Sequence, residues 1–140
     1  MRQILLFAAL AASLALLSGC ALSKAKEDKA EDMPDKAAYH KISAEEAYEM
    51  MASQEVVVVD VRTREEYDGG HIENAVLVPN ESIGSEMPVA LPDKEATLLV
   101  YCRSGRRSKD AAQKLLALGY QSVYDFGGVI DWPYELVKEG

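Results

Sequence analysis

Two runs, Val56–Val59 and Thr97–Tyr101, constrain this 140-residue chain more than anything else in it. Neither alternates apolar with polar residues. A strand wet on one face alternates, whereas a strand covered on both faces reads as a continuous apolar run. Both runs are therefore expected as inner strands of a sheet with a layer on each side. The segments around them carry helical spacing. Ser43 with Glu46 makes a capping box for a helix over Ala44–Ala52, with Ala44, Ala47, Tyr48 and Met51 on one face. Thr63–Tyr67 predicts a short helix ended by Gly69-Gly70. Lys109–Leu118 predicts a longer one, with Ala111, Ala112, Leu115, Leu116 and Leu118 inward and Gly119 as its C-terminal cap. Tyr39–Ile42, Ala75–Val78 and Val123–Phe126 read as further short strands, the second stopped by Pro79. Asn80–Ala90 reads as irregular with one helical turn. Gly127-Gly128 is expected to lead into a final helix with Pro133 in its first turn. Strands alternating with helices predict an α/β fold with a mainly parallel sheet.

The first forty residues differ in kind. Arg2 precedes an apolar stretch from Ile4 to Leu17 that is broken only by Ser13. That length suits the core of a signal peptide and falls short of the ~20 residues that span a bilayer. Leu17-Ser18-Gly19-Cys20 follows and resembles the lipobox of bacterial lipoproteins. The resemblance implies cleavage before Cys20, a lipid on its sulfur and an extracytoplasmic, membrane-anchored protein. The expected organisation is a signal segment at 1–19, a lipidated Cys20 with a charged linker at 20–39, and a folded domain at 40–140. Lys, Glu, Asp and Ala dominate the linker, which holds almost no large apolar residue to repay the entropy of ordering it.

The formal charge of −8 argues against nucleic acid as a partner, because phosphate binding needs a basic surface. Clustered basic residues become informative against that background. Cys20 and Cys102 are the only cysteines. With Cys20 lipidated, Cys102 has no disulfide partner in the chain and reads as a reactive thiol. The competing reading is a buried, inert cysteine. Its neighbours decide: Cys102-Arg103-Ser104-Gly105-Arg106-Arg107-Ser108 directly follows the second apolar strand. Sites in open α/β sheets lie at the carboxyl ends of strands. Gly105 allows a tight curl whose N–H groups point inward as an anion nest, and the next helix begins there with its positive end. Three arginines add charge. A cysteine so placed is expected to be thiolate at neutral pH, and the thiolate is the nucleophile.

These residues resemble the single-domain rhodaneses. Cys102-x-x-Gly105-x-Arg107 is similar to the active loop of that family. Upstream, Asp60-Val61-Arg62, Glu65-Glu66-Tyr67, Gly70-His71-Ile72, Ala75 and Pro79 resemble one signature, and Gly127-Gly128 with Trp132 another. Asn74 stands where a glycine is usual, and the glycine-proline that commonly follows the tryptophan is missing. The resemblance implies a rhodanese-like fold, with a five-stranded, mainly parallel sheet flanked by helices on both faces. It also implies a sulfurtransferase that works through a Cys102 persulfide and needs no metal or organic cofactor. The implied partners are a small anionic sulfur donor, such as thiosulfate, and a nucleophilic acceptor, cyanide or a thiol. Arg103, Ser104, Gly105, Arg106 and Arg107 are candidates for donor binding, with Arg107 alternatively a brace. Asp60, Arg62, Glu66 and His71 are expected as structural support, Arg62 and Glu66 as an ion pair. Two other readings stand beside the enzyme. One is an extracytoplasmic persulfide carrier or redox sensor serving a thiol protein. The other is a phosphatase or arsenate reductase of related fold. Against the latter, cysteine phosphatases place their arginine six residues after the nucleophile, where this chain has Ser108.

Overall fold

The computed structural model describes residues 38–139. The expected signal segment 1–19, Cys20 and all but the last two positions of the expected linker 20–39 lie outside the described residues. Five strands alternate with three helices: β1 Ala38–Lys41, α1 Ala44–Ser53, β2 Val57–Asp60, α2 Arg64–Asp68, β3 Val76–Leu77, β4 Thr97–Cys102, α3 Arg106–Ala117 and β5 Ser122–Gly128. They form one sheet in the order β1-β5-β4-β2-β3, and every neighbouring pair is parallel. The two apolar runs become β2 and β4, inner strands as their composition requires.

Side chains of β4 alternate between two cores. Leu98, Val100 and Cys102 face α3 and pack with Val59, Val61, Ala111, Ala112, Leu115 and Val123. Leu99 and Tyr101 face the other way, onto Ala47, Val58, Tyr67, Phe126 and Trp132. Burying both faces of one strand accounts for its unbroken apolar run. Capping boxes open both α1, with Ser43 and Glu46, and α2, with Thr63 and Glu66. Gly119 follows α3 at φ +95°, the left-handed residue that ends a helix. Asn74 sits at φ +63°, a region that asparagine tolerates, so the turn made elsewhere by glycine survives here.

The final helix does not form. After β5 the chain makes a single 3-10 turn, Val129–Asp131, and then continues without a helix among the described residues. Pro133 excludes the helical conformation for the residue before it, and Trp132 accordingly sits at φ −78°, ψ 112°. Beyond it, the Val137 N–H donates to the His71 carbonyl at 2.8 Å and the His71 N–H to the Val137 carbonyl at 2.9 Å. A segment that pairs with the 70–72 turn cannot also close helical bonds with itself.

Candidate active site

Cys102 is the last residue of β4, at the carboxyl edge of the sheet. The chain then curls through Arg103, Ser104 and Gly105 into α3. Gly105 is the N-cap at φ +101°, where a side chain would be strained, and no side chain caps the helix. The free N–H groups of this end face the cysteine instead. The Gly105 N–H donates to Cys102 Sγ at 3.0 Å. Cys102 is only 1% exposed, and burial alone pushes a thiol up. Backbone N–H groups of Ser108, Gly105 and Ser104 outweigh that burial, and the thiol lies below its ordinary value. A buried sulfur can thus still favour its anion, because amide donors of the loop are turned toward it.

Two glycines make room for this loop. A Cβ on Gly128 would run into the Arg103 carbonyl oxygen and stand 2.6 Å from Ser104 Cα. Gly127 adopts φ +91° beside a bulge, where Val100 faces Asp125 but Tyr101 faces Gly127. The Ile130 N–H then donates to the Arg103 carbonyl at 3.2 Å. The glycine pair singled out in the sequence is therefore the floor of the cysteine loop.

The arginines of the loop divide. Arg107 directs both terminal nitrogens at Glu66, each at 2.8 Å. That contact, foremost, holds the Glu66 carboxyl down at about 2 against its burial, with help from the Thr63 N–H. Arg107 so braces the first turn of α3 against α2. Arg103 and Arg106 are exposed and make no ion pair among the described residues. Ser104 is exposed on the same loop.

The expected pair of Arg62 with Glu66 is not made. Arg62 reaches back to Asp60, with its backbone N–H, Nε and Nη2 all donating to that carboxylate at 2.7 to 3.1 Å. Glu66 is taken by Arg107. The reason is local: Asp60 ends β2 two residues away, and its buried charge needs a cation at hand. Tyr101 donates its hydroxyl to Asp60 at 2.6 Å and accepts the Ile72 N–H at 3.1 Å, while Arg62 Nη2 donates to the Gly70 carbonyl at 2.7 Å. Asp60 and Arg62 thus tie the ends of β2 and β4 to the 70–72 turn. His71 is buried; its Nδ1–H donates to the Tyr67 carbonyl at 2.9 Å, and its ring stacks on Tyr67 at 3.7 Å. These contacts hold the turn and leave His71 no contact with the sulfur.

Three further residues belong to the site and carry no motif signal: Tyr101, Ser108 and Asp125. Ser108 and Asp125 are buried behind the loop, and the Ser108 hydroxyl donates to Asp125 Oδ1 at 2.7 Å. A polar residue in an otherwise apolar strand, as Asp125 is between Val123 and Phe126, was the available signal.

Comparison with known proteins agrees with this geometry. The family model for the rhodanese-like domain matches residues 43–133. A rhodanese-like domain protein from Staphylococcus aureus superposes with a TM-score of 0.63 at 30% identity, covering 72% of this chain and 99% of the other. A human single-domain sulfurtransferase, TSTD1, superposes with a TM-score of 0.59 at 27% identity, over 66% of this chain and 93% of the other. Among curated relatives, the tRNA uridine(34) hydroxylase of Yersinia pestis is 31% identical over 106 residues, which are 72% of this chain and 30% of that protein. The chain thus spans less than a third of the length of those curated relatives. With the family model matched over most of the described residues, a five-stranded parallel sheet and a cysteine loop at its carboxyl edge, the chain belongs to the rhodanese-like domain family and has the rhodanese fold.

Proposed function

We propose that this protein is a sulfurtransferase that carries the transferred sulfur on Cys102. The observation that carries the reading is the Cys102 sulfur itself: held by the Gly105 N–H at 3.0 Å and shifted toward its anion although buried. In the first half-reaction the thiolate attacks the outer sulfur of thiosulfate or a similar sulfane donor. A new S–S bond forms to Cys102 and the old one breaks, with sulfite leaving with the bonding pair. In the second, cyanide or a thiolate attacks the outer sulfur of the persulfide. The Cys102 thiolate is the leaving group and is restored, and thiocyanate or a small persulfide departs. Neither step needs a general base, which agrees with a His71 occupied in holding its turn. Arg103 and Arg106 are the free cations that attract the donor, and Arg107 keeps the loop in shape.

The phosphatase reading is disfavoured by Ser108. It stands where the longer loops have arginine, and it is buried with its hydroxyl committed to Asp125. Hydroxylation of tRNA is the activity named for relatives of which this chain covers only 30%, and a charge of −8 does not suit a nucleic-acid substrate. A persulfide carrier would use the same loop, and turnover with small acceptors separates it from an enzyme.

The full chain should turn over thiosulfate and cyanide to thiocyanate, and Cys102→Ala should abolish it. Transfer only to a thiol protein would favour the carrier, and Cys102-dependent release of phosphate from an aryl phosphate would overturn the reading. The lipobox motif at Leu17–Cys20 supports a membrane-anchored, extracytoplasmic setting. Cys20→Ser should move the protein out of the detergent phase on partition, and an unchanged partition would remove that part of the proposal.

A further inference from the structure

Asp125 lies in β5 and is 1% exposed. Four donors from three parts of the domain converge on its carboxylate. Tyr39, on β1, donates its hydroxyl to Oδ2 at 2.7 Å. Ser108, in the first turn of α3, donates to Oδ1 at 2.7 Å, and the Gly127 N–H donates to Oδ1 at 2.9 Å. Lys41 Nζ stands 3.4 Å from Oδ1. Burial, the bond to Asp125 and the charge of Asp125 together push Tyr39 up to about 12. A carboxylate is costly to bury and persists where it is fully paired; two of the partners here, Ser108 and Gly127, belong to the surroundings of the cysteine loop.

Ser108 links the carboxylate to the sulfur. Its backbone N–H lies close enough to Cys102 to favour the anion, and its hydroxyl is within reach of the sulfur as well. Its hydroxyl has one proton, however, and three oxygen acceptors in reach: Asp125 Oδ1 at 2.7 Å, the Gly105 carbonyl at 3.0 Å and the Gly127 carbonyl at 3.3 Å. The shortest bond, to the charged acceptor, takes it. The sulfur therefore keeps the backbone N–H groups, and the Ser108 side chain fixes where they point.

We infer that Asp125 is a positioning residue for sulfur transfer: through Ser108 it holds the first turn of α3 so that backbone N–H groups aim at the Cys102 sulfur, and through Gly127 it holds the loop's floor. The inference rests on Cys102 being the sulfur carrier. It makes a prediction of sign. A negative charge near a thiol disfavours the thiolate, so deleting Asp125 as a charge alone should lower the pH at which Cys102 ionises. Loss of aim by the N–H groups should raise it.

The test is the pH dependence of Cys102 alkylation by iodoacetamide, read on the full chain beside thiosulfate:cyanide kinetics and thermal unfolding. Ser108→Ala, which changes no charge, and Asp125→Ala are each expected to move the alkylation midpoint up by about one pH unit. They should cut kcat about tenfold, with KM for thiosulfate changed less than about twofold. The double variant should be no worse than the worse single one, because the two residues act as one link. Asp125→Asn keeps the size and an acceptor oxygen, and its midpoint should fall at or below that of the parent. If Asp125→Ala does not fold, Ser108→Ala carries the test, with Asp125→Asn as the control for charge. Midpoints that stay put or fall in Ser108→Ala or in Asp125→Ala, or single effects that multiply in the double variant, overturn the inference. If the parent forms no persulfide at Cys102, the sulfurtransferase reading fails, while the alkylation midpoints still report whether Asp125 sets the ionisation of the sulfur.

Discussion

Glu66 caps α2 and pairs with Arg107 at the same time, so a single carboxylate joins the α2 N-terminus to the cysteine loop. Its folded value of about 2 lies below the ordinary 4.5. A depressed carboxylate contributes stability in full above the ordinary value and loses it as pH falls toward the folded one. Acid unfolding should therefore steepen between pH 4.5 and about 2, and Glu66→Gln should flatten that window. Both side chains are partly exposed, so screening limits the loss at pH 7 to on the order of 1 kcal/mol. Urea unfolding across pH checks this; a parallel drop at every pH would mean that the cap and not the charge matters. Arg107→Ala should lower stability by a similar amount and reduce kcat more than it raises KM, as expected of a brace. Asn74 offers a second test at this scale. At φ +63° a glycine carries no Cβ penalty, so Asn74→Gly should be neutral or stabilise by up to about 1 kcal/mol, whereas Asn74→Val should destabilise by about 1–2 kcal/mol. Thermal melts of the two variants give the comparison.

Among the elements, β5 with its glycine pair does most to shape the loop. Gly128→Ala places a methyl against the Arg103 carbonyl and Ser104 Cα. Backbone cannot swing aside as a side chain can, so the loop must shift. Sulfur transfer should drop at least about tenfold while most of the fold persists, because a displaced hydrogen-bond donor loses roughly the energy of a bond. Retained activity would show that the loop has slack. How far such details could be read in advance depended on the range of the contact. The buried strands β2 and β4, the capping box of α1, the turn at Asn74 and the placement of Cys102 all follow from local pattern. Pro133 suits the first turn of a final helix by residue type, but it holds its predecessor extended and the tail pairs with His71, so the helix does not form. Arg62 is near Glu66 in sequence but lies outside α2 and turns back to Asp60, while the partner Glu66 takes, Arg107, comes from 41 residues away. The link of Ser108 to Asp125 spans 17 residues and two elements, and no local pattern announces it.

Over the whole molecule, charge is arranged against itself. A chain of net charge −8 repels an anionic donor at long range, yet Arg103 and Arg106 stand exposed and unpaired among the described residues on the loop that carries the sulfur. Replacing either by alanine should raise KM for thiosulfate about three- to tenfold with little change in melting temperature. The difference should shrink as salt shortens the screening length from about 10 Å at 0.1 M to about 3 Å at 1 M. A salt-independent effect would point to a contact other than charge. Intact-mass spectrometry shows whether Cys102 carries the sulfur. The full chain, incubated with thiosulfate and freed of excess, should gain the mass of one sulfur located at Cys102. Cyanide should then remove it with the appearance of thiocyanate, and Cys102→Ala should gain nothing. An unchanged mass in the parent, or the same gain in Cys102→Ala, would contradict the account.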